Sequence, residues 1–155
     1  MLTATAVLCS ALGSGAATGP TASAQPAQAP AEAIAACTQF ARALDLASLT
    51  YSGFANVIAL GEVYPDYSDP LVSSTNTSGR TGLRAAVSTA LSASRTPGLA
   101  PQLAAPMRSW ALAATKLLLL MGLRADVDRF NAAAAQVNED TENAQRACAE
   151  AGTRA

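Results

Sequence analysis

Residues 31–61 read AEAIAACTQFARALDLASLTYSGFANVIALG, and the spacing of their apolar side chains decides the fold. An apolar or small residue recurs every three or four positions, which is the period of an α-helix with one buried side. This row consists of Ile34, Cys37, Ala41, Leu44, Ser48, Tyr51, Ala55 and Ile58. The stretch therefore predicts a first helix over about 31–61, roughly 46 Å long at 1.5 Å per residue.

The C-terminal part of the chain shows the same spacing. Its row consists of Val127, Phe130, Ala134, Val137, Thr141, Ala144 and Cys148. Asp126 or Asp128 can cap the first turn, and Gly152 lies where a helix of this length would end. We therefore predict a last helix over about 126–150.

Two further helices are predicted between these. Leu83, Val87 and Leu91 form a short row that indicates a second helix over about 81–94. A third is expected from Pro106 to about Met121, because a proline inside a helix loses a hydrogen bond. Gly122 then fits the turn that follows.

Residues 62–80 are rich in polar residues and contain two prolines, so we expect a long loop in which Asp69-Pro70 starts at most one helical turn. Strand signals are poor throughout the chain. The prediction is an all-α, antiparallel four-helix bundle with a long loop between helices 1 and 2.

The N-terminal segment differs from the rest of the chain. Residues 1–30 carry no charge, and an apolar stretch is followed by Ala22-Ser23-Ala24, a small-x-small pattern typical of signal-peptidase sites. We therefore expect a signal peptide over 1–24 with cleavage near Ala24, a flexible leader over 25–30 and a bundle domain over 31–152. No basic residue precedes Arg42, so an alanine-rich tail unrelated to export stays as the alternative. The expected location is secreted or in the cell envelope.

Cleavage there would leave two of the three cysteines, Cys37 and Cys148. An even number in an exported chain predicts one disulfide, and two free buried thiols are the alternative. Four antiparallel helices place the start of the first beside the end of the fourth. The bundle geometry therefore favours the Cys37–Cys148 pair.

Composition excludes several functions. The 155 residues suit one domain, and a net charge of −1 gives no general attraction to nucleic acid. Without histidine the chain has no Ser-His-Asp triad and no imidazole metal site. We expect a non-enzymatic protein with no catalytic residue, metal or cofactor, no nucleic-acid partner and no transmembrane helix in the mature chain.

Two groups of residues are candidate sites. The 62–80 loop offers a contact surface for a protein or envelope component, or its aromatic residues simply pack over helix 1. Its candidate residues are Tyr64, Asp66, Tyr67 and Asp69. An apolar pocket for a lipid or haem is the second candidate, with an ordinary core as its alternative. Its residues are Tyr51, Phe54, Met107, Trp110, Met121 and Phe130.

Four segments resemble those of small alanine-rich exported actinobacterial proteins. They are Ala36-Cys37-Thr38-Gln39-Phe40, Arg80-Thr81-Gly82-Leu83-Arg84, Pro106-Met107-Arg108-Ser109-Trp110 and Ala147-Cys148-Ala149. The resemblance covers about residues 31–152 and implies export and a helical fold, without assigning an activity. The sequence thus favours a protein that contacts another macromolecule, with carriage of an apolar ligand as the alternative.

Overall fold

The computed structural model describes residues 28–59 and 65–155. Within them lie four α-helices and no strand: Ala31–Ala59 (α1), Pro70–Ala93 (α2), Pro101–Gly122 (α3) and Val127–Glu150 (α4). The predicted all-α four-helix bundle is confirmed. The predicted signal peptide and residues 25–27 of the leader after it lie outside the described residues.

Helix α2 begins eleven residues earlier than predicted, at Pro70 instead of 81. The Asp69 carboxylate accepts hydrogen bonds from the backbone N–H groups of Leu71 and Val72, and Pro70 occupies the first turn, where no N–H is needed. Farther along, hydroxyl groups donate to carbonyls one turn back, as Thr75 does to Leu71 at 2.7 Å. The polar residues over 70–80 that suggested a loop are therefore accommodated on a helix.

Helix α3 also begins earlier than predicted, at Pro101, so that Pro106 lies inside it. Pro106 lacks the N–H that would bond to the carbonyl of Gln102. Gln102 is exposed in the first turn, so water can reach that carbonyl. The loss is confined to one bond, and the helix continues through it.

The turn after α3 is formed by Arg124, not by Gly122. Arg124 has a φ of 54°, and the N–H of Ala125 reaches back to the carbonyl of Leu120, as in a Schellman motif. Gly122 instead belongs to the last turn of α3, where a Cβ would lie 3.2 Å from Nη2 of Arg80. The missing side chain leaves room for that guanidinium beside the negative end of α3.

Aromatic side chains of α1, α3 and α4 pack against each other in the core. Trp110 and Phe40 meet edge to face with ring centroids 5.5 Å apart, and Phe54 meets Phe130 in the same way at 5.3 Å. The expected disulfide is present, joining Cys37 in α1 to Cys148 in α4, both fully buried. The two ends of the bundle domain are thus tied together.

The helices do not pack evenly around this core. Helix α1 packs most extensively on α2, and α3 on α4, whereas α1 and α4 touch at few points. Glycines 79 and 82 of α2 face α1 and bring the two backbones close together. The bundle is therefore closed on the α1–α2 side and open on the α1–α4 side.

Candidate functional site: a groove between the first and last helices

A groove of about 430 Å³ runs between α1 and α4. This volume lies within the roughly 300–1,000 Å³ typical of small-molecule sites. The groove is lined by Leu44, Asp45, Ala47, Ser48, Tyr51, Ser52, Ala55 and Asn56 of α1, Leu83 of α2, Trp110 and Leu117 of α3, and Ala134, Val137, Asn138, Thr141 and Gln145 of α4. It is therefore a candidate site for another molecule.

The groove exists because small side chains face each other across it. Ala47 and Ala55 on α1 and Ala134 on α4 are too short to fill the space between the two helices. Along α4 the lining residues lie between Phe130, which stacks on Tyr51 with centroids 5.6 Å apart, and Cys148 of the disulfide. These two contacts hold α1 and α4 together on either side of the lining residues of α4, and on α1 Tyr51 itself lines the groove.

The floor of the groove is apolar and well fixed. It consists of Leu83, Trp110 and Leu117, each about 1% exposed. The indole N–H of Trp110 donates to Oγ1 of Thr141 at 2.9 Å, and that hydroxyl donates in turn to the carbonyl of Val137 at 2.8 Å. The polar atom of the tryptophan is satisfied within the protein, which leaves its ring as an apolar surface.

Tyr51 adds a phenol to the neutral polar groups of the groove, which include Ser48, Ser52 and Asn56 on the same helix. Burial raises the pKa of Tyr51 well above its ordinary value, because the phenolate would be poorly solvated. The side chain is therefore a neutral phenol at physiological pH. It can exchange hydrogen bonds with a ligand but carries no charge.

The six predicted pocket residues divide into two groups in the structure. Tyr51 and Trp110 line the groove. The other four are at most 3% exposed and belong to the core: Phe54, Met107, Met121 and Phe130. Sequence reasoning did not identify the polar rim, which includes Asp45, Ser48, Asn138 and Gln145.

The predicted contact loop uses its described residues for contacts within the chain. Asp66 accepts hydrogen bonds from the backbone N–H and hydroxyl of Ser68, which lower its pKa. Tyr67 packs near Phe54, and the Arg124 guanidinium lies 4.9 Å from its ring centroid. Asp69 caps α2. Tyr64 lies outside the described residues.

Two general features of the described segments limit the chemistry. No three His, Cys, Asp or Glu residues come together there as a possible metal site. None of the four helices is both long enough and apolar enough to cross a membrane.

The sequence matches a known family over most of its length. The match is to the Rv2240c four-helix bundle domain and covers residues 20–149. A search of curated proteins found no match, and neither did a search of solved structures. With its four helices and this extent of match, the chain belongs to the Rv2240c four-helix bundle domain family.

Proposed function

We propose that this protein is a non-enzymatic carrier that holds an apolar ligand in the groove between α1 and α4. The observation that carries the proposal is the 430 Å³ space beside Trp110, a buried apolar residue on the groove floor. A rigid apolar floor under a polar rim is the usual construction of a small-molecule site.

The chemistry of the groove favours a lipid-like ligand over haem. Tyr51 is the only lining residue of a type that commonly ligates haem iron, and iron ligation requires loss of the phenol proton. The raised pKa of Tyr51 opposes that loss. A ligand that needs only apolar contact and hydrogen bonds matches the lining better.

The chain contains its own reporter for a binding test. Trp110 is the only tryptophan, so its fluorescence monitors the groove floor directly. We expect saturable changes in emission when a long-chain alcohol is added below its aggregation concentration. The test variant is Ala134→Phe, which fills the groove from α4, and the matched control is Ala135→Phe, an exposed neighbour outside the lining.

Ala134→Phe should weaken binding about tenfold or more, because the ring occupies the ligand's volume, whereas Ala135→Phe should bind as the wild type does. Saturable binding that both variants retain equally would place the ligand elsewhere. Absence of saturable binding in the wild type would contradict the carrier function.

Export to an oxidising compartment is the second part of the proposal. The buried Cys37–Cys148 disulfide supports it, since disulfides persist mainly in exported proteins. Fractionation of the protein's own host, with mass spectrometry of the N-terminus, tests it. We expect a secreted or envelope-bound chain that begins at Gln25, and an uncleaved chain in the cytosol would contradict it.

An exposed row of leucines favours macromolecular contact as a second candidate function. Leu112 and Leu119 are 70% and 61% exposed and lie on one side of α3, seven residues apart, and Leu123, which is 78% exposed, directly follows the helix. Replacing Leu112 and Leu119 together by serine should reduce retention on isolated envelopes if this face binds a partner there. Unchanged retention would exclude that role for the row.

A further inference from the structure

The charge on the groove wall is the starting point for a prediction of ligand class. Among the residues that the structure shows lining the groove, Asp45 alone carries a charge. The remaining polar groups are neutral hydroxyls and amides, such as those of Ser48, Asn138 and Gln145. A ligand with an acidic head would therefore meet a carboxylate and no balancing cation.

The charged residue lies towards the disulfide end of the groove. Cys37 is bonded to Cys148 and the two helices are antiparallel. Positions successively farther towards the C-terminus of α1 therefore lie opposite positions successively farther towards the N-terminus of α4. This register places Asp45 and Ser48 level with the part of α4 around Asn138 and Thr141. Ala55 and Ala134 lie farther from the disulfide, at the end that Tyr51, Ser52 and Asn56 also line and where no lining residue carries a charge.

The length of the groove suits a linear molecule. Its lining on α1 runs from Leu44 to Asn56, which is about 18 Å at 1.5 Å per residue. A linear alkyl chain can lie along the groove over Leu83, Trp110 and Leu117 while its head stays at the end beside Asp45. A compact ligand would leave part of this length empty.

We propose that the groove selects a linear amphiphile with a neutral or cationic head, that this head lies beside Asp45, and that amphiphiles with an acidic head are disfavoured. This inference rests on the proposed carrier function and adds the chemical class of the ligand. The recognition combines the volume beside Trp110 with the single negative charge on the rim.

The experiment compares three amphiphiles with the same saturated chain and different heads: an alcohol, a trimethylammonium and a carboxylate. Each is titrated below its aggregation concentration at neutral pH, with Trp110 fluorescence and calorimetry as readouts. The variants are Asp45→Asn and Asp45→Lys. The matched control is Asp140→Asn, which removes a carboxylate at the same level of the bundle from a shallow depression between α3 and α4.

In the wild type and in Asp140→Asn we expect the trimethylammonium to bind about tenfold more tightly than the carboxylate at low ionic strength, with the alcohol between them. Added salt should reduce this ratio, because Asp45 is exposed and its charge is screened. Asp45→Asn should bring the three affinities together, and Asp45→Lys should reverse their order.

Two outcomes separate this inference from the function on which it rests. Binding of all three amphiphiles with equal affinity, or a preference that Asp45→Asn leaves unchanged, would overturn the head-group selection and leave the carrier function standing. Absence of binding by all three would overturn both.

Discussion

Gly82 of α2 lies directly against the side chain of Thr50 on α1, so that even a methyl group at position 82 would overlap it. The Thr50 hydroxyl is turned towards its own helix, donating to the carbonyl of Leu46 at 2.7 Å. This contact sets how closely α1 and α2 approach. With α1 held against α2, its other side faces α4 across the groove.

Replacement of Gly82 by alanine should destabilise the protein by about 1–3 kcal/mol, because the new Cβ meets the Cβ of Thr50 and one helix must move. Adding Thr50→Gly should restore part of the lost stability, because it removes the side chain that the new methyl group meets. Denaturant unfolding measures both. Gly53→Ala is the control: its Cβ would have 3.9 Å to Thr75, so it should be neutral or stabilising by up to about 1 kcal/mol.

Removal of the disulfide should cost most of the stability of the domain. Cys37 and Cys148 are 111 residues apart, and closing a loop of that length stabilises a fold by about 4–5 kcal/mol on the chain-entropy model. The double variant Cys37→Ala, Cys148→Ala should unfold at a much lower denaturant concentration. The reduced wild type is the control and should behave as the double variant does. A midpoint unchanged from that of the oxidised wild type would show that the covalent bond contributes little.

Stability should fall at alkaline pH because of Tyr51. Burial raises its pKa, so the folded state holds the phenol proton more tightly than the unfolded chain does. The stabilisation is complete below the unfolded pKa of about 10 and is lost as pH rises from there towards the folded pKa. In Tyr51→Phe, denaturation midpoints above pH about 10 should decline less steeply than in the wild type.

Tyr67 is the natural control for that measurement. Burial also raises its pKa, although the nearby Arg124 partly opposes this. Tyr67→Phe should therefore flatten the alkaline decline less than Tyr51→Phe does. An equal effect of the two variants would show that burial of Tyr51 is not the main cause.

The hydrogen bond between Trp110 and Thr141 should contribute to the rigidity of the groove floor. Thr141→Val keeps the shape of the side chain but leaves a buried indole N–H without its acceptor, at a cost of about 1–3 kcal/mol. Thr141→Ser retains the hydroxyl and should lose much less. Equal unfolding free energies for the two variants would mean that water replaces the threonine.

The positions of α1 and α4 could be predicted because each carries a continuous apolar row with clear ends. The start of α2 could not. Its first half is built from Ser, Thr, Asn and Gly, which favour loops by intrinsic preference. What makes it helical is the Asp69 cap together with contacts made over long sequence distances, such as that of Asn76 with the carbonyl of Met121. At Gly82 the absence of a side chain lets α2 pack closely on α1, and the spacing of apolar residues does not reveal such a contact.

Only part of the groove could be predicted from the sequence. Leu44, Tyr51, Ala55, Ala134 and Val137 all belong to the apolar rows that predicted a core. Whether two such rows meet or stay apart depends on distances between helices, which the small alanines and the tight α1–α2 contact determine. The residue type of Trp110 predicts a place in a pocket. Asp45 on the rim of the groove could not be predicted in this way, because a lone carboxylate on a helix usually marks a solvated face.

Native mass spectrometry of the protein purified from its own host tests the carrier function most directly. We predict that the wild type and Ala135→Phe retain an additional mass of an extractable apolar molecule, and that Ala134→Phe, with the groove filled, loses it. Detection of the bare polypeptide in all three preparations, or of the same bound molecule at the same occupancy in Ala134→Phe, would contradict the assignment of the groove as a ligand site.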